Sequence, residues 1–163
     1  MKLFVFFGLP GAGKSFAGKI VEKYFDYHVY DGDNDLTEEL HAAFQNQAVV
    51  TDSMREAFFN KLIQSIKKLI DKYDRIIIHQ TFIKEKYRKQ FLNAIPEAKF
   101  VLIETDTPLR EKRLRERKYY PLDEEYARKM TLLFDKPIIR HTVLNNNIEG
   151  EESLKKQLQK ILL

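Results

Sequence analysis

The sequence predicts an α/β fold, a three-layer arrangement in which a five-stranded parallel sheet carries helices on both faces. Three observations lead there. Short β-branched or aromatic runs alternate with longer stretches at helical spacing. At 163 residues the chain has room for one sheet-centred core but not for two, so residues 1–163 are expected to form a single domain. Chemistry-bearing residues fall just after the strand-like runs, where a parallel sheet opens its crevice.

Lys2-Leu3-Phe4-Val5-Phe6-Phe7 runs straight into a glycine loop and is too short for a signal-peptide core with its cleavage site. Leu3–Phe7 is therefore the first strand. Ser15–Tyr24 sets Phe16, Ile20 and Tyr24 at four-residue intervals, which predicts a helix. His28–Tyr30 is the second strand. Met54–Ile70 carries Phe58, Leu62, Ile66 and Leu69 on one helical stripe, and Arg75–His79 is the third strand. Helix Lys84–Ala94 and strand Lys99–Glu104 follow. Pro108 suits the first turn of a helix to Lys118, and Glu124–Phe134 is a further helix. His141–Leu144 is the last strand, Asn145-Asn146-Asn147 with Gly150 a turn, and Glu151–Leu162 the last helix. Right-handed crossovers then give the expected strand order 2-3-1-4-5.

With 44% hydrophobic and 32% charged residues, the composition is that of an ordinary globular chain. No apolar run approaches the roughly 20 residues that a membrane helix needs. The lack of cysteine excludes disulfides and thiolate metal sites and makes the cytoplasm the default compartment. A net charge of +4 raises the question of nucleic acid. The basic residues, however, are interleaved with acids, as in Arg110-Glu111-Lys112-Arg113-Leu114-Arg115-Glu116-Arg117-Lys118. A solvated helix with spare positive charge for phosphates explains this as well, so nucleic acid is the lesser reading. The pattern does not choose between a monomer and a homodimer.

Gly8-Leu9-Pro10-Gly11-Ala12-Gly13-Lys14-Ser15 matches GxxxxGK[ST], preceded by a strand and followed by a helix. Small or φ-tolerant residues let the backbone wrap closely and turn consecutive N–H groups toward phosphate oxygens. The following helix adds its positive end. Lys14 would reach the β- and γ-phosphates of ATP, and the Ser15 hydroxyl would hold Mg²⁺. This is a P-loop, so the expected architecture is the three-layer P-loop NTPase fold.

Asp31-Gly32-Asp33 closes the second strand at the crevice. Period-two alternation would aim Asp31 and Asp33 to one side. One carboxylate would serve the metal's water shell, and the other an acceptor hydroxyl. Asp35 is read as structural. Ile76-Ile77-Ile78 is followed by His79 and Gln80 rather than by the acid that a motor or GTPase would carry there. That favours a small-molecule kinase using Asp31 instead.

The chain resembles the P-loop gluconate kinases, within the wider group that includes shikimate and adenylylsulfate kinases. The matching segments span about 130 residues: the phosphate loop, Asp31-Gly32-Asp33, Thr51-Asp52-Ser53-Met54-Arg55, Lys84-Glu85-Lys86-Tyr87-Arg88, Arg113-Leu114-Arg115-Glu116-Arg117 and Leu133-Phe134-Asp135-Lys136-Pro137. The resemblance implies that Asp31 serves the metal and Asp33 the acceptor hydroxyl. It further implies that Arg55 and Arg88 bind an acceptor carboxylate, that Arg113 lies near the adenine, and that Arg117 closes over the transferring phosphate. Departures concentrate on the acceptor side. Glu56-Ala57-Phe58 stands where the family has Pro-Trp-Leu, Gln80-Thr81-Phe82 where it has Cys-Ser-Ala, and Tyr119-Tyr120 where it has His-Phe.

From the residues themselves, Arg55 and Arg88 sit near strand ends, where a guanidinium fork can grip a carboxylate or phosphate. Arg113 and Arg117 stand at i and i+4 and would share one triphosphate. Lys84 is a further acceptor candidate. The four histidines show no metal-ligand spacing, although His79 ends a strand at the crevice. Tyr119, Tyr120 and Pro121 would belong to a helical lid around 117–136 that excludes water. The expected activity is γ-phosphate transfer from Mg²⁺–ATP to a small-molecule alcohol, a sugar acid such as gluconate leading. The rivals are a nucleoside, nucleotide or polynucleotide 5′-hydroxyl kinase and a regulatory module that binds ATP without transferring it.

Overall fold

β1 (Lys2–Phe7) is buried on both faces, and its alternation sorts the whole interior. Leu3, Val5 and Phe7 join one core, with Ile76, Ile78, Phe100 and Leu102 from neighbouring strands. Phe4 and Phe6 join another on the opposite face, with Ile77, Val101, Ile103 and Leu144. Near-continuous apolar strands of this kind mark a parallel sheet covered on both sides. The computed structural model describes residues 1–117 and 124–163.

The remaining strands are β2 (His28–Asp31), β3 (Arg75–His79), β4 (Lys99–Glu104) and β5 (His141–Asn145), all parallel. Their order is β2-β3-β1-β4-β5, as expected. α1 (Lys14–Tyr24) and α7 (Glu151–Leu162) cover one face. α2 (Glu38–Gln45), α3 (Asp52–Ile70) and α4 (Glu85–Ala94) cover the other. α5 (Thr107–Glu116) and α6 (Glu124–Leu133) complete the set. Among the described residues no helix is long and apolar enough to cross a membrane.

Three local expectations need correction. The buried face of α1 is Ala17, Gly18, Ile20 and Val21, while Phe16 and Tyr24 are exposed. Small side chains at 17 and 18 let the helix lie close on the sheet, and Gly18 abuts Val29 and His79. Secondly, α3 begins two residues before Met54, because the Thr51 hydroxyl accepts the Met54 N–H at 3.2 Å and caps it. Thirdly, Leu36-Thr37-Glu38-Glu39 suggests a helix start without a length, and the helix that forms, α2, is short, buries only Leu40 and Ala43, and is capped by Thr37. The expected lid lies partly outside the described residues, which exclude Tyr119, Tyr120 and Pro121.

The register brings the strand ends level. Phe6 pairs with His79, Phe7 with Leu102, and Asp31 with His79. Gly8, Gly32, Gln80, Thr105 and Asn146 therefore lie along one edge of the sheet. On the α3/α4 side, Phe100 meets Phe7 and Phe82 edge-on at 5.4 Å and Phe91 at 6.0 Å. Phe100→Ala should cost about 3–5 kcal/mol, read as a lower urea midpoint with an unchanged denaturant slope.

Candidate active site

The turn from β1 into α1 is built from the backbone outward. Gly13 caps α1 in the left-handed region (φ 100°, ψ 26°), where a side chain would also run into the Asn146 amide. The Ala12 carbonyl is held outward by Asn146 Nδ2 and by Thr105 Oγ1, each donating at 2.8 Å. With that carbonyl tethered, loop amides and the positive end of α1 are left for an anion. Lys14 Nζ folds over the loop and donates to the carbonyls of Gly8 at 2.9 Å and Leu9 at 3.1 Å. Burial pulls the Lys14 ammonium down to about 8, against Asp33 and Asp31, which raise it, while Arg117 and Arg110 lower it further. Those four charges thus act on Lys14. Ser15 follows in the first turn of α1 and is exposed.

Asp31 and Asp33 face this loop by a route other than strand alternation. A 3-10 turn over Gly32–Asp35 follows β2, and Asp31 Oδ1 caps it by accepting the Asp33 N–H at 2.9 Å. Asp33 thus lies in the turn and not in the strand, so the pleat does not set its direction. Asp35 is structural as expected: it is buried and accepts from the Tyr30 and Ser65 hydroxyls, each at 2.8 Å. His79 Nδ1 lies 3.7 Å from Asp31 Oδ1, and burial holds its imidazole below the ordinary value. The Ser15 hydroxyl and the Asp31 carboxylate offer oxygen only, a donor set that fits Mg²⁺, which keeps waters and completes its shell from phosphates.

The arginines divide. Arg113 donates to the Asn146 carbonyl at 3.0 Å and Thr105 Oγ1 at 3.3 Å, which fixes it beside the loop. Arg117 is exposed and already extended beyond α5, so helical spacing does not set its direction. Arg55 is half-buried and donates to the Val50 carbonyl at 3.2 Å. Lys84 pairs with Asp135 at 3.3 Å.

Arg88 departs from its expected role. Its side chain is completely buried. It donates to the carbonyls of Phe82 (2.8 Å), Asp135 (2.9 Å) and Ile83 (3.1 Å), and to Glu85 Oε2 at 2.8 Å. The guanidinium carbon lies 5.1 Å from the Phe7 ring centroid and 4.7 Å from that of Phe134. Four of its five N–H donors are used within the protein. Arg88 thereby ties the segment after α6 to the segment after β3. Tyr87 is likewise structural, stacked on Phe59 and donating to the Asp52 carbonyl.

Gln80, Thr105, Asn146 and Arg110 were not assigned to the site from the sequence. Asn146 lies within the asparagine run read as a turn. Arg110 is buried, with long bonds to Thr131 and Thr107 at 3.4 Å.

The AAA domain family matches residues 3–137. The chain belongs to that family. Among solved structures, this AAA-domain chain is similar to a sugar kinase from Janibacter sp. HTCC2649, at TM-score 0.84 and 16% identity over 99% of this chain and 94% of that one. It is also similar to a gluconokinase from Sinorhizobium meliloti 1021, at TM-score 0.77 and 16% identity over 99% and 95%. A third is deoxyadenosine kinase from M. mycoides with bound dATP, at TM-score 0.69 and 13% identity over the whole of both chains. At such identities these likenesses establish the P-loop fold. A search of curated proteins returned no match.

Arg88→Leu leaves Glu85 buried without its cation, which should cost about 3–5 kcal/mol of stability, read by thermal or urea unfolding. Asp135 accepts the Glu85 N–H at 3.0 Å, and this bond, with Lys84 beside it, holds its carboxyl below the ordinary value. The folded state therefore binds fewer protons there than the unfolded chain. The stability gained is full above the unfolded value of 3.8 and is lost as pH falls through the folded one. Asp135→Asn should be less stable than wild type at neutral pH, with the gap narrowing toward acid.

Proposed function

We propose that residues 1–163 act as one kinase domain that transfers the γ-phosphate of ATP to a small-molecule hydroxyl, with a sugar acid such as gluconate as the acceptor. One observation carries this reading: Gln80, whose backbone N–H donates at 3.0 Å to Phe6 in the strand that leads into the phosphate loop, donates from its side chain to Asp33 at 2.8 Å and so holds a carboxylate at the loop's end of the sheet. Binding a nucleotide requires the loop alone. A pair of carboxylates opposite it would repel a triphosphate unless they had chemistry to perform.

In the proposed reaction the loop amides and Lys14 hold the β- and γ-phosphates. The acceptor oxygen attacks phosphorus in line, the bond from the γ-phosphorus to the bridging oxygen breaks, and ADP leaves. The acceptor proton passes to Asp33. Arg117, exposed at the end of α5, offsets charge on the transferring group. Such an arginine is worth on the order of 10³–10⁵ in rate in related chemistry. Bound Mg²⁺ would supply further charge neutralisation at the phosphate oxygens.

The sugar-acid class rests on the resemblance and on Arg55 as the acceptor cation. Arg88 is enclosed and is left out of the acceptor site in this reading, while Lys84, bonded to Asp135 at 3.3 Å, keeps further N–H donors for an acceptor. The test is a panel of sugar acids, polyols and nucleosides, read as ADP release from Mg²⁺–ATP. Gluconate or a related sugar acid should give saturable turnover, and Arg55→Ala should raise its KM about 10-fold or more. Saturation by a nucleoside with indifference to sugar acids would select the nucleoside-kinase reading. ATP binding with no acceptor-dependent turnover would select the regulatory one. Asp33→Asn should lower kcat by about 10²–10⁴ while ATP affinity stays near wild type.

A further inference from the structure

The strand order places β3 between β2, which leads to the carboxylates, and β1, which leads to the phosphate loop. A residue just beyond β3 is therefore the natural bridge between them. Gln80 occupies that place and is bonded in both directions. Its backbone N–H donates to the Phe6 carbonyl at 3.0 Å, and the Thr81 carbonyl accepts the Gly8 N–H at 3.4 Å. Gln80 is thus fixed to the strand that carries the loop. Its side chain crosses the other way, with Nε2 donating to Asp33 Oδ1 at 2.8 Å.

The orientation of the amide is chemically determined. Gln80 Oε1 lies 2.6 Å from the Thr81 N–H, which can only donate. The oxygen must face Thr81, so the NH₂ group must face Asp33. A carboxylate acting as a base needs a fixed direction, and a charge-assisted bond from a tethered amide supplies it. Gly32 keeps the path clear. A β-carbon there would lie 3.0 Å from Gln80 Cβ and 3.1 Å from its Nε2.

We infer that Gln80 is the positioning residue of the proposed base, holding the Asp33 carboxylate at a set distance from the phosphate loop. The inference rests on the reading of Asp33 as the group that receives the acceptor proton. Gln80 need not touch substrate; it acts through Asp33. The bridge spans from the backbone that binds the departing phosphates to the carboxylate that orients the incoming oxygen. Its loss should therefore appear in the chemical step and not in nucleotide binding.

The experiment uses Gln80→Met, which keeps the volume and removes the donor, and Gln80→Glu, which also sets a like charge beside Asp33. ADP release from Mg²⁺–ATP is followed with the same panel of sugar acids, polyols and nucleosides, gluconate first, and, separately, with water as the only acceptor. Both variants should lose about 10- to 100-fold in kcat in whichever of these reactions the wild type catalyses, the scale expected for a misplaced reacting group. KM for ATP should stay within about twofold. In an Asp33→Asn background, Gln80→Met should change the residual rate by less than about twofold, because a residue acting through Asp33 has nothing left to position. Wild-type kcat in Gln80→Met would overturn the inference, as would an equal loss with and without Asp33. If Asp33→Asn collapses turnover but Gln80→Met does not, only the positioning role fails. If Asp33→Asn is fully active, or wild type turns over no acceptor of the panel and no water, the base reading fails and this inference with it.

Discussion

The Ala12 carbonyl has to point away from the phosphate loop before that loop can receive an anion. Two side chains from the far side of the sheet hold it there, Thr105 after β4 and Asn146 after β5. A loop with its carbonyls turned in would repel phosphate; with this one tethered, the loop amides and the positive end of α1 are left to favour an anion. Arg113 then bonds the same two residues and adds charge without disturbing the tether. Site residues near the loop thus depend on strands β4 and β5, whereas the carboxylates depend on β2 and β3. The central β1 joins the halves, and its burial on both faces makes the junction stiff.

The buried Arg88 shows how a charged residue near a cleft can be structural. A guanidinium removed from water costs several kcal/mol unless its donors are met. Here three carbonyls and Glu85 meet four of the five, and the stacked Phe7 and Phe134 rings pack against the group. The bonded partners belong to the segment after β3, the start of α4 and the segment after α6. Asp135 adds the second half of the clasp by accepting the Glu85 N–H and pairing with Lys84. The result fixes where the chain returns from α6 toward β5. It also leaves Arg55 as the expected acceptor cation whose guanidinium is not enclosed.

Most of the fold was legible because its signals are local. Each strand is a β-branched or aromatic run, and each long helix shows its period, so order and polarity followed from general rules. The phosphate loop was legible for the same reason, since all of its residues are consecutive. What escaped acts across the chain. Asn146 serves Ala12 from 134 positions away, and Gln80 serves Asp33 from 47. No window of sequence contains both partners. Arg88 misled because a place near a strand end and a family pattern do not say what charge a side chain meets; its neighbour Glu85, one turn earlier, is buried with it. Asp33 follows Asp31 in a capped 3-10 turn, which period-two reasoning does not describe.

A phosphate loop that forms an anion nest opposite a carboxylate must take up a nucleotide, and nucleotide uptake is the most direct measure of it. Isothermal titration of the folded protein with ATP in the presence of magnesium should give one site per chain, and Lys14→Ala should weaken it by about 1.5–3 kcal/mol. A folded wild-type protein that takes up no ATP under these conditions would contradict the account at its root.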